Sequence, residues 1–106
     1  MGQSKPQKGL ARVVATRSGV SPEGNRRMFM IDYTGIGDKV ADLRLDIGAS
    51  AGKIGSLSIA RYPAIKGSRV GFDLTPREAD VIELRLRVLA HDKPVSETWL
   101  YRWTAP

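Results

Sequence analysis

The 106-residue sequence contains no cysteine, which excludes disulfides, thiol catalysis and cysteine-ligated zinc or iron–sulfur sites. It has one histidine, His91, which stands in a turn without the second imidazole or thiolate that a metal site would need, and we expect it to face solvent. No apolar run approaches the ~18 residues of a membrane-spanning helix. No segment of helical length has a 3.6-residue apolar period, which argues against parallel α/β folds because their crossovers need helices.

The charge balance is positive, with 17 Lys and Arg against 11 Asp and Glu, a net charge of +6 and a pI near 10.1. Such a balance makes nucleic acid and anionic surfaces candidate partners. The basic residues are spread along the chain, however, and alternate with acids, as in Asp42, Arg44 and Asp46. A phosphate-binding stripe is usually more clustered, so we expect no nucleic-acid partner, and a basic binding module remains an alternative function.

The dominant pattern is a set of short segments in which apolar and polar residues alternate with the period of a β-strand. Turn-forming stretches rich in Gly, Pro, Asn and Asp separate them. This spacing predicts an all-β fold, an immunoglobulin-like antiparallel β-sandwich of about seven strands over residues 9–106, preceded by a flexible leader or interdomain linker at residues 1–8. The short Pro76–Asp80 stretch could form one helical turn. The predicted strands are Gly9–Arg17, Arg27–Thr34, Asp42–Ile47, Ile54–Arg61, Arg69–Leu74, Ile82–Val88 and Pro94–Trp103.

The carboxylates give little sign of a reaction centre. Most of them alternate with apolar residues or lie in turns, so we expect them on the exterior. Asp32 interrupts the outer face of an otherwise apolar strand that should be central in its sheet, and we interpret it as a structural ion pair with an arginine. A small sandwich also lacks the deep cleft of a glycosidase, whose two acids face each other across the substrate. We therefore expect no catalytic residue, no metal and no cofactor.

The most unusual segment is the end of the chain, SETWLYRW, in which Trp99, Tyr101 and Trp103 share one face of a predicted strand. Three aromatic rings in a row can fill a core, dock on a neighbouring domain, or form a flat platform for the apolar faces of sugars. These three residues are the candidate carbohydrate-binding or interdomain contacts.

Four segments resemble a known family: ARVVATRSG (Ala11–Gly19), RRMFMIDYTG (Arg26–Gly35), VGFDLTP (Val70–Pro76), and IELRLRVL followed by KPVSETWLYRW (Ile82–Trp103). In matching order over nearly the whole chain, they are similar to the C-terminal immunoglobulin-like domain of the periplasmic glucan biosynthesis proteins G and D. The resemblance implies an exported protein that takes part in making osmoregulated periplasmic glucans, with β-1,2-linked backbones and β-1,6 branches. It also implies that the carboxylates that process glucan belong to a large N-terminal domain with no counterpart in this chain.

Three hypotheses follow. The first is a non-catalytic accessory domain that packs on the large glucan-handling domain and contacts β-glucan or a membrane glucosyltransferase. The second is an independent carbohydrate-binding module, and the third is the basic module for nucleic acid or anionic surfaces. We expect the chain not to be an enzyme by itself. The competing hypothesis is that it is an autonomous glucan hydrolase.

Overall fold

The computed structural model describes residues 9–36 and 43–106, so the proposed leader at residues 1–8 and the start of the third predicted strand at Asp42 lie outside the described residues. The described chain consists of strands joined by turns, with one short 3₁₀ helix at Pro63–Ile65 between β4 and β5. The strands are β1 (Arg12–Val20), β2 (Arg27–Thr34), β3 (Leu43–Ala49), β4 (Lys53–Tyr62), β5 (Gly67–Thr75), β6 (Val81–Ala90), β7 (Lys93–Pro94) and β8 (Trp99–Thr104).

The strands form two antiparallel sheets. The larger sheet has the order β1-β2-β5-β4, and in the smaller sheet β3 lies on one side of β6 while β7 and β8 pair with its other side. Labelled A to G along the chain, with β7 and β8 together as G, these are the ABED and CFG sheets of a constant-type immunoglobulin domain. The predicted all-β, immunoglobulin-like sandwich is therefore confirmed.

The last strand differs from the prediction, because Pro94–Trp103 is not continuous. After β7 the regular ladder with β6 stops, and Ser96 forms a parallel bridge with Ala11 at the start of the larger sheet. The Ala11 amide donates to the Val95 carbonyl and the Glu97 amide donates to the Ala11 carbonyl, both at 2.8 Å. The Val95 amide still donates to the Val88 carbonyl of β6 at 2.9 Å, and the Val88 amide donates to the Ser96 hydroxyl at 2.8 Å. The segment thus bridges the two sheets, which interrupts the ladder until β8 begins.

Two turns show how local sequence sets the connections. Residues Pro76–Asp80 contain a hydrogen-bonded turn, from the Ala79 amide to the Pro76 carbonyl, in place of the expected helical turn. Between β6 and β7, His91 and Asp92 both have positive φ, 50° and 65°, the backbone that a two-residue type I′ hairpin requires. His91 is exposed, as expected for this position.

The core lies between the sheets and is made of aliphatic and aromatic side chains from both. Strand β2 is central, with β1 and β5 on its two sides, and its residues Phe29, Ile31 and Tyr33 are fully buried. Although both faces of β2 are apolar in sequence, the methionines on its outer face are exposed, Met28 by 51% and Met30 by 40%. The larger sheet therefore presents an uncovered apolar strip to its surroundings.

Candidate functional site: the aromatic strand and the cleft beside it

Strand β8 turns its three aromatic residues toward the core. In the antiparallel pairing with β6, Trp99, Tyr101 and Trp103 stand opposite Leu86, Leu84 and Ile82, all of which are buried. Directly paired residues of an antiparallel ladder share a face, so the aromatic stripe faces the interior. The other face of β8 contains Leu100, which is 71% exposed.

Trp99 is a core residue, with only 5% of its surface exposed. Its ring meets Phe29 and Phe72 edge-on, at centroid distances of 6.1 and 5.9 Å, and stacks on Tyr101 at 5.5 Å. Its indole N–H donates a hydrogen bond to the Thr16 hydroxyl at 3.0 Å, so its polar atom is satisfied across the sandwich. The three aromatics therefore do not form an exposed platform in this domain, and Trp99 ties β8 to β1 and β2.

Tyr101 and Trp103 are only partly buried, because the sandwich opens on this side. The end of β1 pairs with β2, and a cleft of about 370 Å³ lies between it and β8. The cleft is lined by both aromatic rings and by the polar side chains of Ser18, Arg27 and Arg102. It adjoins the chain end at Pro106.

Trp103 also borders a second depression, of about 400 Å³, formed by the turn at Gly24–Asn25 and the Pro76–Asp80 turn. The Arg27 guanidinium lies 5.8 Å from the centre of the Trp103 ring, a cation–π distance. An aromatic ring with a guanidinium, hydroxyl and amide groups around it can contact the apolar face of a sugar and hydrogen-bond its hydroxyls. The same surface suits a polar loop of a neighbouring domain.

Asp32 is almost completely buried, with 3% exposed, and it accepts hydrogen bonds from two arginines. Arg69 donates to both carboxylate oxygens, at 2.7 and 3.1 Å, and Arg17 donates at 3.2 Å. The hydrogen bonds from Arg69, aided by the charges of both arginines and opposed by burial, hold the pKa of Asp32 below its usual value. The guanidinium of Arg69 also lies 4.2 Å from the Tyr62 ring centre. The structural ion pair predicted for Asp32 is confirmed.

Tyr33 is a buried polar group that the sequence analysis missed. It is fully buried, and its hydroxyl has no hydrogen-bond partner. Burial raises the pKa of Tyr33 to about 12, against a smaller opposing effect of the Ser96 hydroxyl nearby. The alternation of β2 indicates that Tyr33 points inward, but no sequence signal shows that its hydroxyl lacks a partner.

The outer face of the smaller sheet is a ladder of ion pairs. Asp46 on β3 accepts from Arg87 at 2.7 Å and lies 3.5 Å from Arg85, while Glu83 accepts from Arg102 at 2.7 Å. The hydrogen bond from Arg87 lowers the pKa of Asp46. These pairs neutralise much of the positive charge on this face, and they explain why basic residues alternate with acidic ones in the sequence.

Within residues 9–36 and 43–106, no group of three or more His, Asp or Glu side chains is placed to hold a metal ion. No helix in that part of the chain is long and apolar enough to cross a membrane.

The strand order, the filled core and the arginine-paired carboxylates define an immunoglobulin-like β-sandwich domain. A family model described as "Periplasmic glucan biosynthesis protein, MdoG" matches residues 1–103, and the chain belongs to this family. Among its relatives are glucans biosynthesis protein G of Rhodopseudomonas palustris (strain CGA009), 45% identical over 92% of this chain, and glucans biosynthesis protein G 2 of Shewanella oneidensis, 34% identical over 90%.

The matches cover a minor part of each relative. The aligned segment is 20% of the Rhodopseudomonas protein and 18% of the Shewanella protein, and it falls in the C-terminal part. The chain therefore spans about a fifth of the length of the curated relatives it matches. The family name refers to periplasmic glucan biosynthesis, which agrees with the resemblance seen in the sequence.

Proposed function

We propose that this chain is a non-catalytic accessory domain of a periplasmic glucan biosynthesis protein, and that it packs on the larger, glucan-handling part of the same protein. The observation that carries the proposal is the length ratio: a folded sandwich that accounts for nearly all of this chain corresponds to about a fifth of its relatives. Its most buried carboxylate, Asp32, is held by Arg69 and Arg17 in the ionised state. A group held in that way is poorly suited to donate a proton as a general acid.

Packing can be tested in the full-length protein that contains this domain. A protease site introduced within residues 1–8 would allow the domain to be cut from the rest without changing the sandwich. We expect the two parts to stay together in gel filtration after cleavage, because a stable interface keeps them associated. Separation of the parts at micromolar concentration would contradict the packing.

The non-catalytic role has its own test. A reducing-end assay on β-1,2-glucan with this chain alone should show no turnover. Turnover that disappears when a single carboxylate is replaced would make the chain an autonomous hydrolase.

A second candidate function, glucan contact, is favoured by the cleft between β1 and β8. Tyr101 and Trp103 line it together with Arg27, whereas Trp99 is too deeply buried to take part. Titration with β-1,2-glucan should then change the fluorescence of Trp103, and the change should persist in Trp99→Phe and vanish in Trp103→Phe. Leu100→Ala, on the opposite face of β8, is the matched control. An unchanged spectrum at millimolar glucan would argue against sugar contact.

A further inference from the structure

The outer face of the larger sheet has an apolar centre that nothing in the described chain covers. Met28 and Met30 project from β2 and are 51% and 40% exposed. Across the ladders, Met30 stands between Gly71 of β5 and Arg17 of β1, and Met28 stands between Gly19 of β1 and Asp73 of β5. Gly71 in turn stands opposite Ser58 of β4. Each methionine thus has a glycine on one side and a charged residue on the other. We call the surface formed by the two methionines, Gly19, Ser58 and Gly71 the methionine face.

The charged groups around the methionine face already have partners. At one end Asp32 is covered by Arg17 and Arg69, and at the other Arg26 donates to Asp73 at 3.0 Å. Both carboxylates are buried although they project from an outer face, 3% exposed for Asp32 and 7% for Asp73. A second body could therefore cover this face without burying an unpaired charge, which would be costly.

The methionines and the nearby arginines are residue types enriched at protein interfaces. Interface centres are depleted of charge and enriched in methionine, and arginine is common around them. Methionine is also flexible and polarisable, so it adapts to the shape of a partner.

The outer face of the smaller sheet provides the contrast within the same molecule. There Asp46, Glu83 and their arginine partners alternate along the strands, and the apolar Leu100 stands among them at 71% exposure. A ladder of paired charges is well solvated by water, and a single exposed leucine on it is ordinary. The two outer faces therefore differ: on the smaller sheet the exposed Leu100 and Val81 lie among alternating charged side chains, whereas Met28 and Met30 are adjacent on one face of β2.

We infer that the methionine face is the surface on which the larger part of the family protein packs. The inference rests on the proposed function, since it names the contact surface of that packing. About four-fifths of each relative lies outside the matched segment, and the match falls in their C-terminal part. In this chain, residues 1–8 lead to β1, which is the edge strand of the larger sheet and the direct neighbour of β2. A body that precedes β1 in sequence would be attached to the sheet that bears the methionine face.

The test uses cysteine labelling in the full-length protein, because the 106 residues contain no cysteine of their own. Met30→Cys and the control Leu100→Cys are made separately, and peptide mass spectrometry follows the maleimide reaction of each peptide in native buffer and in denaturant. We expect native protection of the cysteine at position 30 to exceed that at position 100 by at least tenfold. Met28→Cys repeats the measurement if the first variant does not fold.

The possible labelling results distinguish a wrong contact surface from the absence of packing. Equal labelling at the two positions, with the cleaved halves still associated, means that packing uses another surface and overturns the inference while the proposed function stands. Separation of the halves removes the proposed function itself. Protection that disappears on dilution, together with a dimeric mass, would assign the face to a second copy of the protein and also overturns the inference.

Confirmation comes from an added charge. In the protein cleaved within residues 1–8, Met30→Asp should weaken the association of the two halves at least tenfold, whereas Leu100→Asp should change it less than twofold. Equal effects of the two substitutions would contradict the inference.

Discussion

Replacement of Trp99 by alanine should be among the most damaging single changes to the stability of this domain. Its ring contacts Phe29, Phe72 and Tyr101, and it is 5% exposed. A buried aromatic side chain removes roughly 150–250 Å² from water, about 4–6 kcal/mol at ~25 cal/mol per Å² as an upper bound. Measured Trp→Ala changes in cores cost ~3–5 kcal/mol. We expect Trp99→Ala to lower the free energy of unfolding by about 4 kcal/mol.

Since small domains are stable by only ~5–15 kcal/mol, graded variants protect the test against complete unfolding. Trp99→Phe keeps an aromatic ring in the core but loses the hydrogen bond to the Thr16 hydroxyl, and should cost about 1–2 kcal/mol. Thr16→Val leaves the indole N–H without its acceptor and should cost a similar ~1–2 kcal/mol. Trp103→Ala truncates a partly exposed ring that borders two depressions, so its cost should be clearly smaller than that of Trp99→Ala.

Urea unfolding followed by far-ultraviolet circular dichroism suits this series, because it does not depend on the tryptophan that has been removed. The urea midpoints of the four variants and of the parent are compared with one common m value, which converts them into differences in the free energy of unfolding. The reasoning is refuted if Trp99→Ala costs less than about 1 kcal/mol, or if Trp103→Ala costs more than Trp99→Ala. Either result would place the Trp99 ring at a surface and return the aromatic stripe to the role of an exposed platform.

Three further predictions concern buried and turn residues. Asp32 has a lowered pKa in the folded protein, so its contribution to stability is present above pH ~4 and is lost as the pH falls further. Asp32→Asn should therefore make the free energy of unfolding less dependent on pH in acid, and should cost ~2–3 kcal/mol at pH 7. Tyr33→Phe removes a hydroxyl that has no hydrogen-bond partner, so it should leave Tm unchanged or raise it. Because the pKa of Tyr33 is raised to about 12 in the folded protein, its contribution to stability is lost only as the pH rises from about 10 through about 12. A phenolate titration at 295 nm should therefore lack one early-titrating tyrosine. A fall in Tm would show instead that the hydroxyl is bonded. Replacing His91-Asp92 by Asn-Gly should stabilise the hairpin by ~0.5–1 kcal/mol in urea unfolding, because both positions have positive φ; a destabilised variant would contradict the turn assignment.

The sandwich could be predicted from the sequence because most strands show the alternation of apolar and polar residues that is typical of a β-strand. Leu84, Leu86 and Val88 alternate with charged residues, and the structure buries the former and leaves the alternating charges toward solvent. The break in the last strand could not be predicted in this way. Its cause is the bridge between Ala11 and Ser96, which are far apart in sequence, and no local pattern encodes such a contact.

The aromatic stripe shows the limit of the same reasoning at the candidate site. Alternation predicts that Trp99, Tyr101 and Trp103 share a face, and the pairing with β6 agrees. It does not say how far the opposite sheet extends over that face. Phe29, Phe72 and Thr16 of the larger sheet contact Trp99, whereas Arg27 approaches Trp103 beside an open cleft, so members of one stripe differ in burial. Burial along β8 is thus set by contacts with the other sheet, which the alternation of β8 does not encode.

The methionines of β2 illustrate the converse problem. A strand that is apolar on both faces predicts a central position covered on both sides, and β2 is indeed central within its sheet. Its outer face nevertheless has no cover within the described chain, while Asp32 and Asp73 on the same face are neutralised by arginines. The charged groups of this face are therefore paired within the domain, whereas its methionine side chains remain exposed to water. An exposed apolar strip of this kind is typical of an interaction surface, and the proposed partner is the rest of a polypeptide whose relatives are about five times longer than this chain.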